Sequence, residues 1–354
     1  MFDVCNSLKD LLHGSWIGHS AWLDRACVAV IDFFFGPLTG ERTRFYWVFL
    51  VEALILLAIF HARQGGTPWG LPRFCFPRGT LNHRSTWVDW QINIANAIVG
   101  PSVKLFWRLS MPTMAVALSQ AIASVFGASP VLFHWTVPAL VVLTLLVAVG
   151  DDFGYYVFHR ASHAIPALWA FHSVHHSAEV LTPLVAGRVH PVEMALSEPV
   201  RAAAAALVLG PALYFSADSL NLITVYGVSL TGLIFGALGN QLLHSQAPIS
   251  FGARWDRILV SPAVHQIHHS RATRHWDRNM GGLLSVWDWM FGTLVLPVPG
   301  ETLEYGIAEN VRQPHPHVLA AYAQPFVDIG RGAMRHAAAL ARRVRATRTE
   351  QLGP

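Results

Sequence analysis

The chain is 354 residues long, with 53% hydrophobic and only 13% charged residues and a mean hydropathy of +0.39. That balance excludes an ordinary soluble protein, and thirteen Trp with twenty Phe fit aromatic belts at a membrane interface. The net charge of +4 comes from scattered basic residues, with no basic stripe interleaved with aromatics, which points to anionic lipid headgroups and excludes nucleic acid as a partner.

In chain order, residues 28–35 are apolar but too short to span a bilayer and read as interfacial. Residues 1–24 contain Asp3, Lys9 and Asp10 and lack the clean apolar core of a cleavable signal peptide. Cys5, Cys27 and Cys75 are too widely spaced for a CxxC site, a disulfide framework or an iron–sulfur cluster. A spanning helix needs about 20 mostly apolar residues. Candidates are 45–60, Met111–Phe126, 132–150 and 220–243, with 200–215 a weaker one because Pro211 follows its Ala-rich stretch. Residues 65–84, rich in Gly, Pro and Arg, read as a loop.

Eleven of the nineteen histidines fall between His159 and His275. Eight of them make one HxxxH motif (His159, His163) and two HxxHH motifs (His172, His175, His176; His265, His268, His269). Imidazoles at i, i+3 and i+4 project toward one side of a helix. Three such faces, joined by the lone His244, supply more nitrogen ligands than one cation uses, which implies two metals. His190, in Arg188-Val-His190-Pro191-Val-Glu193, is a candidate tenth ligand or a group that orients one. Asp152, two helical turns before His159, is placed to orient it or a neighbour through a ring N–H. Asn240, four residues before His244, is a candidate weak ligand or partner for a metal-bound water. His275 reads as exposed. Nitrogen-rich dimetal sites at a membrane surface suggest oxygen activation. Zinc is redox-silent, so iron is the expected metal, with zinc competing for the same imidazoles.

All ligands must lie on one side of the membrane to share a cage. The segments 200–215 and 220–243 therefore read as a hairpin that leaves and returns. Its turn has no Lys or Arg, whereas the histidine side carries Arg160, Arg188, Arg254, Arg257, Arg271 and Arg274. Positive-inside then puts the metals in the cytoplasm, at the inner membrane if the cell is bacterial.

Asp152-Phe-Gly-Tyr-Tyr156-Val-Phe-His159-Arg-Ala-Ser-His163, His172-Ser-Val-His175-His176-Ser177, Arg188-Val-His190-Pro191-Val-Glu193, Asn240-Gln-Leu-Leu-His244, His265-Gln-Ile-His268-His269-Ser270 and the run from Asn279 to Thr293 together resemble the fatty acid hydroxylase/sterol desaturase superfamily. The resemblance covers about residues 130–306. It leaves 1–129 as an N-terminal region with membrane helices and 307–354 as a basic tail. It implies an all-α integral membrane bundle with a cytoplasmic histidine-rich dimetal cap. It implies also a non-haem di-iron enzyme that hydroxylates or desaturates a lipid C–H bond with O2. No haem, flavin or iron–sulfur motif is recognisable, so the electrons come from an external donor of ferredoxin or cytochrome b5 type, with Arg254, Arg257 and Arg271 as its docking face. Asn240 stands where some members have His, and Met280 replaces the usual aromatic, departures that bear on the substrate. Trp276, Met280 and Phe291 are candidates for lining the lipid entrance. The competing class is a histidine-rich membrane metal transporter or metal-dependent structural protein. Transport favours ligands along a path inside the spans, and here they follow the apolar segments.

Overall fold

The computed structural model describes residues 47–103, 110–132, 134–216, 224–225, 228–308 and 313–352. The interfacial reading of 28–35 and that of the N-terminus fall outside them. The elements in order are α1 (Trp47–Arg63), α2 (Leu71–Cys75), α3 (Arg84–Val103), α4 (Met111–Phe126), α5 (Val137–Ala164), α6 (Pro166–His176) and α7 (Pro191–Tyr214). The antiparallel pair β1 (Thr224–Val225) and β2 (Val228–Ser229) follows, then α8 (Leu230–Ala237), α9 (Pro262–His268), α10 (Val286–Phe291) and α11 (Val318–Leu352). Apart from that two-residue pair, the described regular structure is helical.

Among the described residues, α5 is the one helix both long and apolar enough to cross a membrane, and α4 is apolar but has 16 residues. The expected span 132–150 is thus the first part of a 28-residue helix that runs on through the HxxxH motif. The Thr136 side chain caps it by accepting from the Ala139 N–H. Residues 200–215 belong to the 24-residue α7, which holds Pro199 and Pro211 within it.

The expected span 220–243 is not one. Among its described residues the strands β1 and β2 interrupt it and only the eight of α8 are α-helical, reaching about 12 Å against an apolar bilayer thickness of about 30 Å. The run Ile223-Thr224-Val225 is β-branched and disfavours helix, and Gly239, at φ +85°, sits in the left-handed conformation that stops one. The hairpin of two spans therefore does not carry the topology. The helix α3 was not expected, because its polar residues interrupt any apolar run. Those residues bind backbone instead: Asn93 Nδ2 donates to Leu184 O, and Asn96 Nδ2 to Gly187 O and Val189 O.

Helix α7 packs between α4 and α5 around Ala115, Leu143, Val147, Ala205, Ala206 and Leu209. Helices α5 and α7 approach closely at Gly150 and Gly154, one turn apart on α5. A Cβ on Gly154 would stand 2.7 Å from Arg201 Cα and 2.9 Å from Val200 O, both backbone atoms that cannot swing away. Small residues four apart let helix backbones meet this closely. Replacing Gly154 by Leu is expected to cost about 3 kcal/mol by overpacking, the upper end of the usual range, because backbone must move. Size-exclusion chromatography in detergent checks this: Gly154→Leu eluting as a single species at the parent's yield contradicts it.

At the end of α5 the chain reverses. Ile165 precedes Pro166 and is held extended (φ −102°, ψ 114°), which ends the helix, and Pro166 opens α6. The turn brings His172–His176 back against His159 and His163. The opposite side of α6 is anchored by Val174, buried with Val88 and Ile92 of α3 and Ala321 of α11.

Candidate metal centre

Nine of the histidines converge into two groups. His159, His163, His172, His176 and His268 form the first, and His175, His244, His265 and His269 the second. Within each group one ring nitrogen per residue lies within 4.8 Å of all the others. Each HxxHH motif is shared between the groups. On α6 the i, i+4 pair His172 and His176 faces the first group and His175 the second. On α9 and its C-cap the pair His265 and His269 faces the second and His268 the first. The same two short helices therefore build both groups.

Ring nitrogens meet at 3.0 Å (His159 Nε2 to His172 Nε2), 3.1 Å (His172 to His176), 3.0 Å (His244 to His265) and 3.2 Å (His175 to His244). Two nitrogens bound about 2.1 Å from one cation at near right angles stand about 3 Å apart. The protonation pattern agrees. His159 Nδ1 donates to Met280 O at 2.7 Å and His268 Nδ1 to Arg278 O at 2.8 Å, and a carbonyl can only accept. The proton of each neutral ring is therefore on Nδ1, and its Nε2 lone pair points into the group. His268 Nε2 and His163 Nε2 are buried with no hydrogen-bond partner. Converging lone pairs repel unless a cation lies between them. Burial, reinforced by neighbouring imidazoles, holds His172, His176, His268 and His269 well below the ordinary histidine range, in the neutral form that ligates. The donor set fits metal ions in both groups.

Glu193, in the first turn of α7, was missed as a site residue. Its carboxylate meets His172 Nδ1 at 2.7 Å. Burial alone pushes Glu193 up to about 8, and a cation on the far side of the His172 ring works against that by favouring the carboxylate. The only sequence signal was its place in the motif with His190.

Three expected site residues lie elsewhere. His190 is in neither group: it is the N-cap of α7, where Nδ1 accepts from Val192 N–H and Nε2 donates to Tyr322 O. Asp152 does not touch His159. It accepts from Leu283 N–H, Leu284 N–H and Trp287 Nε1–H. Asn240 opens a 3-10 turn over Asn240–Leu242 and borders a small pocket with Leu243, Val260 and Leu283, so it does not share an α-helical face with His244. His275, expected exposed, is buried and lies 3.5 Å from Glu301.

The segment 144–293 matches the fatty acid hydroxylase family model and contains all nine clustered histidines. Residues 144–293 belong to the fatty acid hydroxylase family. The chain is 32% identical over 148 residues to alkylglycerol monooxygenase of Danio rerio, covering 42% of this chain and 29% of that protein. It is 30% identical over 199 residues to the ornithine lipid hydroxylase OlsE of Rhizobium tropici, covering 56% and 54%. With the very-long-chain aldehyde decarbonylase GL1-1 of Oryza sativa subsp. indica it shares 29% over 181 residues, covering 49% and 27%. The matches thus span about half or less of these relatives' lengths. No solved structure matches the chain significantly.

In the fatty acid hydroxylase segment the first group opens onto a cavity of about 230 Å³ bordered by His163, His176 and His268. Trp169 and Trp276 form its walls within the segment, and Ile307 closes it from beyond. Of the residues expected at an entrance, Trp276 is there. Met280 is 1% exposed and offers its carbonyl, not its side chain, to the site, while Phe291 stacks on Tyr156 with ring centroids 5.5 Å apart.

Proposed function

We propose that the chain is a membrane-bound, oxygen-dependent lipid hydroxylase holding two iron ions, one in each histidine group. The observation that carries this reading is the sharing of both HxxHH helices between two imidazole groups, one of which opens on a cavity walled by tryptophans. When bound, iron supplies the redox chemistry by which O2 and two electrons attack an unactivated C–H bond. The imidazoles hold the ions in neutral form, and Glu193, Met280 O and Arg278 O fix the tautomer of three of them. Trp169 and Trp276 give a lipid chain an apolar wall beside the first group. The relatives' names, a monooxygenase of alkylglycerols and a hydroxylase of ornithine lipid, support a lipid substrate.

Helix α5 crosses the bilayer with its apolar part and ends at the metals, and the basic residues around the cluster favour the cytoplasmic side. Hydroxylation is preferred to desaturation because oxygen return to carbon directly follows hydrogen abstraction, whereas a second abstraction needs further positioning. Incubation under ¹⁸O₂ with reductant and a lipid extract, on protein carrying about two irons per chain, tests the reading. Label in a product alcohol is expected. An unlabelled alkene with label only in water overturns the hydroxylase, and folded protein that binds no metal overturns the metal centre.

Electrons arrive from an external ferredoxin or cytochrome b5-type donor. Arg254 and Arg257 are exposed for its acidic face, while Arg271 is paired with Glu304. Reversing the charge of Arg254 and Arg257 is expected to slow donor-dependent turnover and weaken its salt dependence. An unchanged rate assigns these arginines to lipid headgroups.

A further inference from the structure

We propose that the loop from Arg278 to Ser285, with the start of α10, is a positioning device for the first metal, in which buried Asp288 and Asn279 aim two backbone carbonyls at two ligand rings. The proposal rests on the two-metal reading above and concerns one of its two ions.

Arg278 O and Met280 O stand on either side of Asn279 and receive His268 Nδ1–H and His159 Nδ1–H. One of these rings comes from α9 and the other from α5, and both belong to the first group. Asn279 has φ +55°, a left-handed conformation that Asn tolerates better than most residues, and this turns the two carbonyls. Its side chain is fully buried. Nδ2 donates to Val264 O at 2.9 Å and Val295 O at 2.8 Å, and Oδ1 accepts from Val295 N–H at 2.7 Å.

Asp288 is fully buried too. It accepts from Met280 N–H at 2.8 Å, Gly281 N–H at 2.7 Å and Thr293 Oγ1–H at 2.6 Å. Asp152 ties the far end of the loop to α5 through Leu283, Leu284 and Trp287. None of the three side chains touches an imidazole. They act through the backbone, and the backbone sets the ring proton and the direction of the lone pair. Groups that orient a metal-bound histidine are worth about 10- to 100-fold in metal affinity.

The test is metal content and affinity, by elemental analysis after dialysis of the full chain in detergent against a graded chelator. In Asp288→Asn the amide presents an N–H₂ group to one of two N–H donors, so the loop shifts. One ion is expected to weaken by about 10- to 100-fold, taking content toward half the parent's, while the other keeps its affinity. Thr293→Val removes a single partner of Asp288 and is expected to shift the same ion in the same direction by less, which keeps the test open should Asp288→Asn fail to fold. Leu209→Ala removes a buried side chain from the core of α4, α5 and α7 and leaves the loop intact. It is expected to lower thermal stability and keep both ions, so metal loss in Asp288→Asn is then no mere consequence of lower stability. Parent affinity in Asp288→Asn or Thr293→Val, or equal metal loss in Leu209→Ala, overturns the proposal. A parent with fewer than two ions overturns the two-metal reading, and the contrast between Asp288→Asn and Leu209→Ala still decides the loop's role.

Discussion

His268→Ala is expected to abolish turnover, a loss beyond about 100-fold, because removing a ligand costs more than the 10- to 100-fold typical of groups that only orient one. His268 is the only ligand that α9 gives to the first group, and its ring lies 4.5 Å from His159 and 4.6 Å from His176, centroid to centroid. It borders the cavity, so its loss also changes where a substrate would meet the metal. The packing of α4, α5 and α7 does not involve it, so the protein should still insert and purify. His275→Ala is the contrast. That ring is equally buried but contacts Glu301 instead of either group, so stability should fall while metal stays. Turnover and metal content at matched protein concentration decide the matter, and full activity in His268→Ala sinks the assignment.

The histidine clusters were legible because helical spacing is a local property. The partition of each HxxHH motif between two groups was not, because it depends on which other helices face α6 and α9. His190 shows how a motif misleads. It lies in a run with Glu193, but Pro191 at the first helical position makes it an N-cap, while Glu193 reaches across to His172. Asp152 lies on the same face as His159, as the two-turn spacing implies, yet a loop more than 130 residues away takes its oxygens. No local pattern announces a hydrogen bond of that range. The false span at 220–243 has the opposite cause. Hydropathy measures apolarity and ignores backbone preference, so β-branched residues and glycines counted as membrane helix.

The second large effect is expected at a residue that is itself in neither histidine group, Arg188. This guanidinium is wholly buried and clamps α3 to the end of α6. Its Nε donates to Val174 O at 2.9 Å, and its terminal nitrogens to Asp89 Oδ1 at 2.8 Å and Ser177 Oγ at 2.7 Å. Val174 and Ser177 flank His175 and His176, so the clamp sets the end of the helix that serves both groups. Arg188→Met strands Asp89 as a buried, unpaired carboxylate, which costs about 3–5 kcal/mol. Burial already pushes Asp89 up, and Arg188 opposes that shift, so without the guanidinium the carboxyl is driven further up and holds its proton. A carboxyl whose folded pKa is raised contributes stability in acid that is lost as pH rises through that pKa. The variant should therefore lose stability from pH 4 toward neutrality relative to the parent. Adding Asp89→Asn removes the stranded charge and should restore part of the loss at neutral pH and flatten the pH dependence. The last turn of α6 remains unclamped, so the metals should still bind more weakly than in the parent. Thermal melts in detergent across pH check this, and a double variant no more stable at neutral pH than Arg188→Met would show that the cost is lost packing and not the unpaired charge.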